Sequence, residues 1–188
     1  MKSSLFLITV LCLLATFVKA QSQTEAQQIE RAMSSAPASV AEQATVMDWD
    51  SRKVLKEGSN GYICFPSFGG APYPMCVEQG WIDFIDAMLS GEEKPPTPDQ
   101  MVIGYWLQGA PPMSNEKPMA TPEEAANHVI APGDPHLAIL FPDKAMLKGY
   151  PDNPDQGGPW VMFKDTPYVH LMVPAPAPSM AEAEVSNN

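Results

Sequence analysis

Apolar and polar positions along this chain change rhythm several times, and the first clear pattern begins at Thr45. Thr45-Val46-Met47-Asp48-Trp49 and Arg52-Lys53-Val54-Leu55-Lys56-Glu57 predict two short strands around a turn at Asp50-Ser51. Gly58-Ser59-Asn60-Gly61 predicts a second turn. Because Asn-Gly is a strong hairpin signal, Tyr62-Ile63-Cys64-Phe65 is expected as the returning strand. From Glu78 to Leu89 the period lengthens to that of a helix. Trp81, Phe84, Ile85, Met88 and Leu89 form one apolar stripe, with Asp83 and Asp86 outside it. Gly91 is placed to end the helix, and Pro95-Pro96-Thr97-Pro98 prevents its continuation.

Met101 to Leu107 predicts another strand, followed by an irregular, proline-bearing stretch from Gly109 to Met119. Thr121-Pro122-Glu123-Glu124 has the spacing of a capping box with Pro at the first helical position, so a short helix is expected to run towards His128. The second half contains an echo. His136-Leu137-Ala138-Ile139-Leu140-Phe141-Pro142 and His170-Leu171-Met172-Val173-Pro174 each open with His, continue as an apolar strand and end at Pro. Trp160 to Phe163 is a further strand, with Asp165-Thr166-Pro167 as the turn after it. Helices and strands are interspersed, and their connections are too short for regular βαβ crossovers. The expected class is therefore α+β: one small domain over residues 36–174, a mainly antiparallel sheet, a few short helices and long Pro/Gly-rich loops. Residues 21–35 precede it as a Gln-, Ala- and Ser-rich arm, a candidate helix carrying Ile29 and Met33. Residues 175–188 are expected to be a disordered tail.

Several blocks resemble those of an uncharacterised family of exported bacterial proteins with no assigned activity. They are Asn60-Gly61-Tyr62-Ile63-Cys64 with Pro74-Met75-Cys76, Gly104-Tyr105-Trp106-Leu107-Gln108-Gly109, Pro135-His136-Leu137, and Gly158-Pro159-Trp160-Val161-Met162 with Thr166-Pro167-Tyr168-Val169-His170. The resemblance covers roughly residues 36 to 174, the size of one domain. It implies bacterial export and no particular chemistry.

The N-terminus points the same way. Lys2 gives a positive start, Leu5 to Val18 is apolar, and Val18-Lys19-Ala20 ends in a small residue, the pattern of a cleavable signal peptide over residues 1–20. The run is short of the roughly 20 apolar residues a membrane anchor needs, and Cys12 lacks the small neighbour expected before a lipidated cysteine. The expected location is periplasmic or secreted. In that setting Cys64 and Cys76, the two cysteines left after cleavage, are expected to form one disulfide. The whole chain carries 22 acidic against 11 basic residues. Loss of Lys2 and Lys19 would bring the formal charge to about −13, which disfavours nucleic acid and anionic membranes as partners.

Familiar catalytic signatures are missing: there is no HExxH, nucleophile elbow, Walker loop or dinucleotide fingerprint. Ser114-Asn115-Glu116-Lys117 matches S-x-x-K only as four residues in a Pro-rich loop. The leading functional reading is an acidic, exported binding module for an unidentified extracytoplasmic partner or small ligand. It would make contact through Phe65, Phe68 and Tyr73 of the stapled loop 64–76, because pre-organised aromatics make good anchors. The competing structural role for that loop is to fold back and plug the core. Two alternatives stay open. One is a hydrolytic enzyme with His136 or His170 as general base. The other is a periplasmic metal-binding protein using His136, His170 and Met172, since imidazole suits copper and zinc and thioether suits Cu(I). Both need the two echoing strands to bring their histidines into one pocket. With 160–163 as an intervening central strand, the two backbones would lie about 10 Å apart. No cofactor is indicated, and whether the protein is an enzyme stays open. Mass measurement of the exported protein should find Gln21 as the first residue and no free thiol, whereas two alkylatable cysteines would refute the disulfide.

Overall fold

The computed structural model describes residues 24–69, 71–121, 123–124 and 134–176. The signal peptide, the helix expected towards His128 and the tail from 177 onward lie outside the described residues. The chain builds one eight-stranded sheet from β1 (Thr45–Met47), β2 (Val54–Lys56), β3 (Tyr62–Phe65), β4 (Met75–Glu78), β5 (Val102–Trp106), β6 (His136–Leu140), β7 (Trp160–Met162) and β8 (His170–Pro174). The spatial order is β2-β1-β3-β4-β5-β6-β8-β7. Every pairing is antiparallel except β1 with β3. Helices are few: residues 24–33 (α1), Ala38–Ala41 (α2) and Gln79–Leu89 (α3), with two short 3₁₀ turns. This is the single α+β domain that the patterning predicts. Among the described residues, no helix is long and apolar enough to cross a membrane.

The expected Asn-Gly hairpin does not form. β3 pairs parallel with β1 rather than folding back on β2. The reason lies in the segment before β1. Ser59 and Asn60 both donate backbone N–H bonds to the Gln43 carbonyl (2.8 and 3.3 Å), and the Asn60 amide donates to the Val40 carbonyl at 2.7 Å. Gly58 lies so close that a Cβ there would sit 2.2 Å from the Ala44 carbonyl carbon. These contacts draw the turn across the start of β1 and deliver β3 to its far edge.

Period-two alternation gives the sheet two apolar faces. On the back, Ala32, Ala36, Ala41, Ala44, Val46, Cys64 and Cys76 form one cluster, with Ile29 and Met33 of α1 against it. The 24–36 stretch is thus tied to the sheet, Leu107 N–H reaching the Ser35 carbonyl at 3.0 Å. The boundary expected at residue 36 falls inside this packed unit, because alanines allow close approach without the wide apolar stripe that would announce a core helix. Cys64 and Cys76 sit directly opposite each other on β3 and β4 and are bonded. In the chain-entropy view a loop of this size contributes about 3 kcal/mol.

The front face is covered by α3. At 11 residues this helix is too short to stand alone, so it depends on packing. Trp81, Ile82, Phe84, Ile85 and Ala87 are buried, each large side chain contributing roughly 1.5–3 kcal/mol. Leu89, assigned to the stripe, is exposed, while Ile82 is buried in its place. At the C-terminus Gly91 takes φ +71, letting Glu92 N–H reach the Ala87 carbonyl and Gly91 N–H the Met88 carbonyl, a Schellman ending. In the middle of β5, Gly104 has no side chain, and the Trp106 indole lies over it. A Cβ there would meet Trp106 Cζ3 at 2.5 Å and Val77 Cγ1 at 3.0 Å. Gly104→Ala should therefore displace Trp106 and lower stability by about 1–3 kcal/mol, the usual cost of overpacking. Urea denaturation followed by tryptophan fluorescence checks this, and an unchanged midpoint would contradict it.

Candidate functional site

The front face places the two histidines on neighbouring strands, with consequences that the echo alone did not reveal. β6 and β8 pair directly, and β7 lies outside β8 at the sheet edge, so the intervening-strand arrangement is not the one adopted. Because the pairing is antiparallel, two strands that each open with His put those residues at opposite ends. His136 stands opposite Pro174, four residues from His170, roughly 13 Å along the strand. Both nevertheless point to the same face, since the partners Ala138 and Met172 lie between them on that face.

Between this floor and α3 lies a cavity of about 250 Å³ whose lining includes both histidines. Its walls are aromatic and thioether: Phe68, Trp81, Phe84, Trp106 and Phe163, with Met75, Met88, Met113, Met119, Met162 and Met172. Leu89 and Met119, 47% and 56% exposed, stand at its rim. The Trp106 ring stacks on His136 at 5.7 Å, with only 6° between the planes. Trp81, Phe84 and Phe163 meet His170 edge-on at 5.3, 5.7 and 5.3 Å. Phe163 holds φ +56, an unfavourable backbone for a bulky residue, with its N–H on the Asn115 carbonyl at 2.8 Å. Strain of this kind collects at binding and catalytic sites.

The two histidines are held identically. Each Nδ1 lies 2.9 Å from the backbone carbonyl two residues upstream, Asp134 for His136 and Tyr168 for His170. A carbonyl only accepts, so Nδ1 carries the proton and the neutral ring presents an Nε2 lone pair. No hydrogen bond to either Nε2 is found among the described residues, and both residues, only 4% and 5% exposed, line the cavity. Burial lowers the His136 pKa against the opposing pull of its Asp134 bond. Burial pushes His170 down to about 4, opposed by the Tyr168 bond and reinforced by His136. The site at neutral pH is therefore uncharged, with two acceptors.

The other expected site residues are distributed differently. Phe65 is wholly buried beneath Trp49, ring centroids 4.9 Å apart, so it cannot touch a partner. Phe68 also packs edge-on against Trp49 and lines the cavity, and Tyr73 is half-buried outside it. The stapled loop closes on itself through paired Phe68–Ala71 backbone bonds, with Phe65 buried and Phe68 and Tyr73 half-buried. Met172 lies on the cavity floor with the histidines, but among the described residues no group of three or more His, Cys, Asp and Glu is gathered to hold a metal. Ser114 Oγ accepts from the Glu116 and Lys117 N–H groups, and Lys117 pairs with Glu124, so the S-x-x-K match is a turn. Thr121 and Glu124 exchange the reciprocal bonds of a capping box. A larger pocket of about 630 Å³ is lined by polar and charged residues that include Asn115, Glu116, Asp152, Lys164 and Asp165, and Asp152 and Lys164 neutralise each other at 2.6 Å. The reading from residues passed over Trp81, Trp106, Phe163 and five of the methionines. Their signal was present in the high methionine content, twelve in the chain, but not in any spacing. No known protein family, curated protein or solved structure matches the chain.

The depressed histidines tie stability to pH. In the unfolded chain His170 takes up a proton near pH 6.5, but in the fold only near 4. Stability is thus complete above about 6.5 and is lost as pH falls towards 4, by up to about 3 kcal/mol. His136 acts in the same direction. Urea denaturation at pH 7 and pH 4 should show a smaller difference in His170→Phe than in the wild type. Equal differences would mean that His170 is not held neutral by burial.

Proposed function

We propose that the protein is an exported binding module that takes up a small apolar molecule between α3 and the sheet. The carrying observation is the cavity itself: about 250 Å³, walled by aromatic and thioether side chains, with an apolar rim. Pre-formed apolar pockets with a few convergent polar groups are the usual form of small-molecule sites. Six unbranched methionines around one cavity also suit a wall that adapts to its occupant. The signal-peptide pattern, the family resemblance and the Cys64–Cys76 bond support periplasmic or secreted action. Contact with the ligand passes to Phe68 alone of the three loop aromatics.

Hydrolysis is less well supported. Among the described residues lining the cavity none is acidic, and both imidazoles spend Nδ1 on backbone carbonyls rather than on a carboxylate. A histidine with a pKa near 4 is also a weak base at neutral pH. Thermal unfolding of the mature protein with toluene, indole and naphthalene tests the proposal. At least one should raise Tm and shift the emission of Trp81 and Trp106, and Met113→Trp, which fills the cavity, should abolish both effects. No response to any of the three would refute it.

A further inference from the structure

Resting on the binding role proposed above, we infer that the preferred ligand class is a neutral, hydroxylated aromatic molecule of one or two rings, whose hydroxyl hydrogen is donated to the Nε2 of His136 or His170. Size sets the first limit. A dry apolar cavity of about 150 Å³ accepts benzene, so about 250 Å³ holds a substituted ring or a fused pair. The walls set the second. Thioethers contact ring edges favourably, and Trp81, Trp106 and Phe84 offer faces and edges for offset or perpendicular stacking.

Polarity sets the third limit and is the most selective. The buried polar handles of the neighbouring aromatics are already used. Trp81 Nε1 donates to the Ala138 carbonyl at 3.2 Å, Trp160 Nε1 to Asn115 Oδ1 at 3.1 Å, and the Tyr168 hydroxyl to the Glu92 carbonyl at 2.9 Å. Among the described lining residues, the imidazoles of His136 and His170, one towards each end of the β6–β8 floor, and the Trp106 indole N–H are the side-chain groups without such a partner, two acceptors and one donor. A ligand that covers these acceptors without supplying a donor would leave them buried and unpaired, which is costly, so a ligand that brings an O–H is favoured over one that brings only carbon. A ligand that brings a carboxylate is disfavoured. No Lys or Arg is among the described lining residues, the imidazoles are neutral, and the chain carries a formal charge of −11. An acid must shed its charge to enter, whereas a phenol need not.

Calorimetric titration of the mature, disulfide-bonded protein at pH 7.5 with 1-naphthol, 1-methoxynaphthalene and 1-naphthoate separates these claims. The first two share a ring system and differ by the donor, and the third replaces it with an anion. The expected order is naphthol tightest, the methyl ether weaker by about tenfold, the value of one hydrogen bond, and naphthoate weaker still. His136→Phe and His170→Phe keep the site apolar. In at least one of them naphthol should fall to the affinity of its ether while the ether is unchanged or improved. If the ether binds the wild-type protein as tightly as naphthol, the donor assignment is overturned and the apolar site stands. If naphthoate binds tightest, the neutral-ligand assignment is overturned. If none of the three binds, the inference and the proposed binding role fail together.

Discussion

The spacing between α3 and the sheet depends on Trp81. Its indole reaches across the layer to donate to the Ala138 carbonyl, and its ring meets Phe84, Trp106 and His170 at 5.0, 5.4 and 5.3 Å. A helix resting on a residue of this size is held off the strands. Whether the gap fills depends on what the strands present beneath it. Here β6 offers only Ala138, while the space over its neighbour Gly104 on β5 is taken by the Trp106 indole. Large residues around small ones leave a hollow, and the methionines line it without closing it.

This geometry also determines the electrostatics. Each His stands at the first position of its strand, where its Nδ1 reaches the carbonyl two residues back, and this anchors the ring as it enters the core. With Nδ1 committed, Nε2 is the nitrogen left to accept, on rings that line the cavity. Low polarity then keeps the rings neutral. The same burial that keeps the imidazoles unprotonated leaves each with one nitrogen able to accept a hydrogen bond.

The back face has a different role. The cross-strand disulfide and the alanine contacts of α1 and α2 clamp the β1–β3–β4–β5 half of the sheet, while Leu147, Val161 and Leu171 cover the other half. Small residues there permit close layers. The two faces of one sheet thus meet opposite demands: tight packing behind, retained space in front.

What could be read from residues alone follows local physics. The period of Trp81 to Met88 predicts α3, Gly91 and the prolines predict its end, and Thr121 and Glu124 predict a cap that forms. Compartment and count pair Cys64 with Cys76, and the repeated His-opened strands locate both site histidines. Partner choice was not local. The Asn60-Gly61 turn has hairpin chemistry, but its atoms bond to Val40 and Gln43, residues distant in sequence, and so β3 joins β1. Phe65 and Phe68 are equally aromatic, and only tertiary placement decides that Phe65, at the end of β3, is core while Phe68, in the loop beyond it, is cavity wall. The cavity itself has no sequence signature, because it arises where Trp81 of α3, Trp106 of β5 and Ala138 of β6 come together from separate parts of the chain. A void is a property of the space between elements, and the order of residues along a chain specifies elements before it specifies that space.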